Sequence, residues 1–208
     1  MGIPVIIYGK SGAGKSRSLK NFKEDEIFLV NVIAKPLPFK GGFKYTMVKD
    51  DVTAIMGGLS KMQKEGIKVA VIDDFGYVMT NLFMRGHGSG DQFKLYNQIG
   101  DTVWNLINYI QSPAVAPDAI VYLIMHEDLD DAGATKLRTI GKLLDQKVCI
   151  EGMCTVVLHA VIKGDRHVFE TQSNGATIAK SPEGMFEDVE IENDLKKVDE
   201  AIRAYWNI

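Results

Sequence analysis

Apolar runs, interrupted only by Asn31, recur at 3–8, 27–33, 69–72 and 120–125. They are rich in Val and Ile and are bounded by glycine, proline or charge. That pattern predicts strands buried on both faces, because a strand with one wet face alternates instead. Between the runs the spacing changes to that of a helix. Val52, Ile55, Leu59 and Met62 follow Asp50-Asp51, which can cap a helix, and Gly66 is placed to end it. Phe93, Tyr96, Ile99, Val103, Ile107 and Ile110 form the apolar stripe of a longer helix. A helix is also expected over about residues 15–22. Residues 155–162 and 167–170 predict two strands around the turn Lys163-Gly164-Asp165-Arg166. After Lys180-Ser181-Pro182, the spacing of Leu195, Val198, Ile202 and Tyr205 predicts a closing amphipathic helix. Loops are expected at 35–42, where Pro36, Pro38, Gly41 and Gly42 gather, and at 85–91. Residues 128–145 form a mixed-charge polar stretch. Buried strands alternating with helices predict an α/β fold: a mostly parallel central sheet flanked by helices, with a C-terminal antiparallel hairpin and helix. The chain shows no internal repeat, and residues 1–208 read as one domain.

Composition narrows the function. Lys plus Arg number 24 against 27 Asp plus Glu, a net charge of -3, so any nucleic-acid site must be a local patch rather than the surface as a whole. No apolar run reaches the roughly 18 residues of a membrane helix, so no membrane partner is expected. Residues 1–8 lead straight into Gly9-Lys10 without the apolar region and cleavage site of a secretory leader. Cys149 and Cys154, spaced C-x4-C, fit neither a redox pair nor a usual zinc spacing. Both are expected as small reduced core residues in a cytoplasmic protein.

The chemistry begins at Gly9-Lys10-Ser11-Gly12-Ala13-Gly14-Lys15-Ser16, which fits G-x-x-x-x-G-K-[ST]. Glycines let such a loop fold around an anion with its N–H groups inward, and the helix that follows points its positive end at the phosphates. In this pattern Lys15 reaches the β/γ-phosphates and Ser16 ligates Mg²⁺. The motif follows a predicted strand and opens a predicted helix, as the mechanism requires. Val69-Ala70-Val71-Ile72-Asp73 has the form of a strand that delivers a carboxylate to the ligand crevice, where Asp73 can hold Mg²⁺ through water. Asp74 either orients the attacking water or caps the next helix. His126 ends the run at 120–125. If that strand lies between the phosphate-loop strand and the Asp73 strand, His126 sits near the γ-phosphate; otherwise it is satisfied locally. Glu127 is expected in solvent.

Two basic segments are candidate DNA contacts. Arg85, His87 and Lys94 flank a glycine-rich loop; Lys136, Arg138, Lys142 and Lys147 lie in a second segment. Cations on mobile loops suit phosphate backbones, although charged loops are usually only solvated. Lys136 or Arg138 has a second possible role, reaching a neighbouring subunit's γ-phosphate as a finger.

These segments, with Phe75, Ile124-Met125-His126-Glu127, the stretch Thr139-Ile140-Gly141-Lys142-Leu143-Leu144-Asp145 and Ala179-Lys180-Ser181-Pro182-Glu183-Gly184-Met185-Phe186, resemble phage-encoded RecA-like ATPases of the Sak-four single-strand annealing type. The likeness spans nearly the whole chain. It implies a RecA/Rad-type core, ATP and Mg²⁺ binding, and single-strand annealing or recombination during phage replication in the host cytoplasm. It also implies single-stranded DNA, further copies of the chain in a ring or filament, and a phage or host single-strand-binding protein as partners. In this chain it places DNA-binding loops at 85–94 and 128–142. The larger recombinases carry a catalytic glutamate after the second strand; residues 28–38 contain no acid. Either hydrolysis is weak, or Asp74 takes the role. No separate N-terminal oligomerisation domain is expected before the phosphate loop, which starts at Gly9.

Two other readings compete with a DNA-dependent ATPase. A small-molecule or nucleotide kinase needs an acceptor site and an arginine-rich lid, whereas Arg85, Arg138, Arg166 and Arg203 are scattered. A nucleotide-switched replication scaffold hydrolyses little ATP.

Overall fold

The computed structural model describes residues 1–88 and 90–208; Ser89, within the glycine-rich segment above, lies outside the described residues. The chain opens with β1 (Ile3–Gly9), whose last residue begins the phosphate loop. A short 3-10 helix, Ser16–Asn21, follows where a longer helix was expected over 15–22. Then come β2 (Ile27–Asn31), β3 (Tyr45–Met47), α1 (Val52–Lys64) and β4 (Val69–Asp73). Asp51 caps α1, its carboxylate accepting from Ala54 N at 2.8 Å, and Gly66 ends it in the left-handed region (φ 75°).

Residues 76–86 form a helix, α2 (Gly76–Gly86), expected above only as the helix that Asp74 would cap and without bounds. Arg85 therefore belongs to the last turn of a helix, not to a loop. The longer helix is α3 (Gln92–Ile110), capped by Asp91 through Lys94 N. β5 (Ile120–Leu129) runs past the expected end at Met125 and folds back on β6 (Thr135–Leu137). A short α4 (Lys142–Gln146) precedes β7 (Val156–Lys163) and β8 (Arg166–Glu170), the antiparallel hairpin expected from the Lys163–Arg166 turn. An additional β9 (Glu190–Glu192) extends it, and α5 (Leu195–Trp206) closes the chain.

The strands lie in the order β3-β2-β4-β5-β1-β7-β8-β9. Pairing is parallel from β3 through β7 and antiparallel from β7 to β9. The α/β architecture is thus the expected one, and β5 lies between β1 and β4, the arrangement on which the placement of His126 rested.

Each central strand divides its side chains between two cores. In β1, Ile6 and Tyr8 join Leu59, Val103 and Ile107 on the α1/α3 face. Val5 and Ile7 join Leu19, Phe22, Leu195, Val198 and Ile202 on the α5 face. Both faces are covered, which is why these strands read as continuous apolar runs. Between the sheet and α5 the Tyr122 hydroxyl donates to Asp199 at 3.1 Å, and Arg203 Nε donates to the same carboxylate at 2.7 Å. Cys154 is buried, with its thiol pushed up to about 12 by burial, but Cys149 is exposed, so only one of the two cysteines is a core residue. Among the described residues no helix is long and apolar enough to cross a membrane.

The start of the phosphate loop is packed too tightly for a side chain. A Cβ on Gly9 would stand 2.3 Å from the Ala160 carbonyl oxygen of the neighbouring strand. Because the obstacle is backbone, Gly9→Ala should destabilise the fold by about 1–3 kcal/mol, roughly 2–4 °C of melting temperature per kcal/mol for a chain of this size. A thermal unfolding curve followed by circular dichroism that matches the native protein would contradict this packing.

Candidate nucleotide site

The C-terminal ends of β1, β4 and β5 form one edge of the sheet, where ligands of parallel α/β folds gather. Gly9 pairs in register with His126, and Asn31 with Asp73. The loop after β1 turns on Gly12 (φ 82°) and Gly14 (φ 95°), conformations that favour glycine. Lys15 is buried at its end, and its ammonium donates to the carbonyls of Gly9 at 2.8 Å and Lys10 at 2.7 Å. Burial lowers its pKa to about 8, partly offset by the nearby Asp74 charge. Ser11, Gly12, Gly14, Lys15 and Ser16 line one cavity, and Lys10 with Ser11 lines a second beside it.

Ser16 Oγ donates to Asp73 Oδ1 at 2.8 Å. Burial, then the Asp74 charge, push the Asp73 carboxyl up from its usual range, while the Ser16 hydrogen bond opposes the shift. A hydroxyl and a carboxylate in contact are hard oxygen donors, which fits Mg²⁺; such a site takes few protein ligands and fills the rest with water and phosphate. Among the described residues no group of three or more His, Cys, Asp or Glu side chains is placed to hold a metal, in keeping with so sparse a site.

Asp74 is buried and adopts a left-handed conformation (φ 59°). His126 Nε2 stands 3.4 Å from its Oδ1, and Lys35 Nζ forms an ion pair with its Oδ2. Burial alone would raise its pKa; the contacts from His126 and Lys35 outweigh burial and hold the carboxyl below its usual range. Asp74 is thus aimed at the edge rather than used as a side-chain cap, since α2 shows no side-chain cap hydrogen bond. The ring of Tyr77 stands edge-on to His126 at 6.2 Å. A cavity of about 290 Å³ joins Lys15, Ser16, Arg17, Lys35, Asp74 and His126; beside it, one of about 610 Å³ is lined by Lys10, Lys35, Tyr77, His126, Asp128 and Arg138.

Several site residues escaped the sequence reading. Glu127, expected in solvent, is buried and stands 2.7 Å from His159 Nε2. The other nitrogen, His159 Nδ1, faces Glu170 Oε2 at 3.0 Å, and the His159 ring stacks on Tyr8 at 4.5 Å. The available signal was a histidine amid the apolar run of β7, since a polar group there needs buried partners. Lys35 gave no comparable signal.

The DNA candidates separate into two groups. Arg85 is committed to Asp50, its Nη1 donating to Oδ2 at 2.6 Å, and His87 Nδ1 lies 3.0 Å from the Met84 carbonyl with its ring stacked on Phe83. Lys94, Arg138 and Lys142 are exposed, while Lys136 is partly buried. Arg138 lines its own chain's cavity, and its N–H donates to the His126 carbonyl at 2.9 Å.

A family model described as an AAA domain matches residues 1–182. No curated protein matches the chain. Among solved structures it is similar to a KaiC-like protein from the hyperthermophilic archaeon Pyrococcus horikoshii OT3, at 16% sequence identity and a TM-score of 0.46, over 81% of this chain and 76% of that one. The matched span holds the phosphate loop, Asp73, Asp74 and His126, and the chain belongs to the AAA domain family, as a nucleotide-binding P-loop ATPase.

Proposed function

We propose that residues 1–208 act as one ATPase domain that binds single-stranded DNA and supports phage annealing or recombination in the host cytoplasm. The observation that carries the ATPase reading is the contact of Ser16 with Asp73 at the mouth of the phosphate loop, with Asp74 and His126 beside it. ATP is the substrate. Lys15 leaves its loop carbonyls to neutralise the β- and γ-phosphates. Ser16 and Asp73 would hold Mg²⁺, which supplies charge neutralisation on the phosphate oxygens. Asp74 orients water and accepts its proton as the water oxygen attacks the γ-phosphorus and the bond to the β-phosphate oxygen breaks, leaving ADP and phosphate. His126 hydrogen-bonds the γ-phosphate and reports its presence.

The exposed cations Lys94, Arg138 and Lys142, with Lys136, support a DNA phosphate contact; Arg85 and His87 are less suited because they already have partners. The resemblance supports assembly into a ring or filament and a single-strand-binding protein as partner. The cavity of about 610 Å³ beside the γ-phosphate end favours a second reading, a kinase whose acceptor enters there. ATP turnover measured with and without single-stranded DNA separates the two, since a kinase needs its acceptor and ignores DNA.

Lys15→Ala should abolish hydrolysis and weaken ATP binding while keeping the native circular dichroism spectrum; turnover at the native rate would remove the phosphate-loop assignment.

The two aspartates should differ. Asp73→Asn is expected to weaken Mg²⁺-dependent nucleotide binding. Asp74→Asn should bind ATP at least as tightly as the native chain yet turn over at least about tenfold more slowly. Equal behaviour in metal titration and turnover would defeat this division of roles.

Combined Lys94→Ala and Lys142→Ala should weaken single-stranded DNA binding and flatten its salt dependence, by roughly 0.7 in slope per lost phosphate contact. Unchanged affinity across a salt series would exclude these side chains from the DNA path.

A further inference from the structure

Lys35 stands where β2 gives way to a loop, opposite the end of β4. Two backbone features hold it there. Val32 N donates to the Asp73 carbonyl at 3.3 Å, and the Asn31 side-chain amide donates to the Lys35 carbonyl at 2.8 Å. Ala34, just before it, has φ 56°, and Asp74 has φ 59°, both in the left-handed region that non-glycine residues rarely adopt. Two disfavoured conformations thus flank one ion pair, that of Lys35 with Asp74. The partners differ in freedom: the Asp74 side chain is 3% exposed, that of Lys35 40%. Lys35 also lines both cavities at this edge, the one around Lys15 and Ser16 and the one that continues past His126.

Both lysines of the cradle therefore rest on oxygen atoms of the chain itself. Lys15 rests on two loop carbonyls and Lys35 on Asp74. While it holds Lys35, the Asp74 carboxylate has one oxygen occupied and is not free to orient water. A flexible lysine stem can move its point charge from one anion to another within the same cavity.

We infer that Lys35 reads the γ-phosphate: it leaves Asp74 for the terminal phosphate of ATP, and that exchange frees Asp74. ADP ends one phosphate short of the Asp74–His126 pair and leaves the Lys35–Asp74 pair closed. The inference deepens the ATPase reading and rests on it. It assigns a substrate contact to the segment after β2, where that reading otherwise finds no acid.

The test is calorimetric titration of the native chain, Lys35→Met and Lys35→Arg with ADP and with a non-hydrolysable β,γ-imido ATP analogue, both with Mg²⁺. Methionine keeps the stem and removes the charge. Lys35→Met should lose at least about tenfold in affinity for the analogue with ADP affinity unchanged. Lys35→Arg should recover most of the loss, and Asp74→Asn, which releases Lys35, should tighten the analogue but not ADP. Equal losses for both nucleotides would make Lys35 structural and overturn the inference, as would no loss for either, or weaker analogue binding by Asp74→Asn. If the native chain bound neither nucleotide, the ATPase reading itself would fall.

Discussion

The hydrogen bond from Ser16 to Asp73 joins residues 57 positions apart, and the site depends on it. It requires the phosphate loop and the end of β4 to meet at one edge. β1 and β4 are not neighbours; β5 lies between them and pairs with both. Because all three strands run parallel, their C-terminal ends fall on one side, and the residue that ends the phosphate loop meets the last residue of a strand two places away. The two covered faces of the sheet set that register. A one-residue slip in β1 would exchange Ile6 and Tyr8 with Val5 and Ile7 between cores of different shape.

Concentrating charge at such an edge carries a cost that the structure offsets locally. A buried carboxylate without a partner is strongly destabilising. Asp73 has Ser16; Asp74 has Lys35 and His126. Glu127, the next residue after His126 in β5, is served on the other side by His159, which is shared with Glu170; Glu170 is in turn paired with Lys163 at 2.9 Å. Neighbouring residues in a strand face opposite ways. His126 thus pairs with Asp74 and Glu127 with His159, although both line the cavity of about 610 Å³.

The parts of this arrangement carried by local pattern were legible in the chain. The apolar runs placed β1, β2, β4 and β5; Asp51 and Gly66 bounded α1; and Gly9 to Ser16 marked the cradle. What depended on distant partners was not. Lys35 follows a strand in a loop of ordinary composition, and its ion pair with Asp74 exists only because β2 and β4 pair at Asn31 and Asp73. Glu127 looked solvated because acids usually are; its burial follows from His159, 32 residues later. α2 was legible only as the helix that Asp74 would cap; its extent was not, because Phe75 stands at the N-cap and Gly76 opens the helix. The short strands β3, β6 and β9 are three residues each, below the length at which periodicity speaks.

The extension of β5 beyond His126 bears on how a distant ligand would be felt at the phosphates. β6 folds back on residues 127–129, and Arg138 N–H donates to the carbonyl of His126 itself. A polyanion drawn to Lys136 and Arg138 would therefore pull on the strand whose end carries His126. The same extension brings Thr135 Oγ1 within 3.1 Å of the Tyr8 hydroxyl, one residue before the phosphate loop begins. The β5–β6 hairpin thus meets the end of β1, which leads into the phosphate loop, through a direct hydrogen bond. In a rigid, densely packed edge such contacts shift together rather than singly. A ligand held at Lys136 or Arg138 would thus bear on His126 directly, because the hairpin continues from the strand that carries His126.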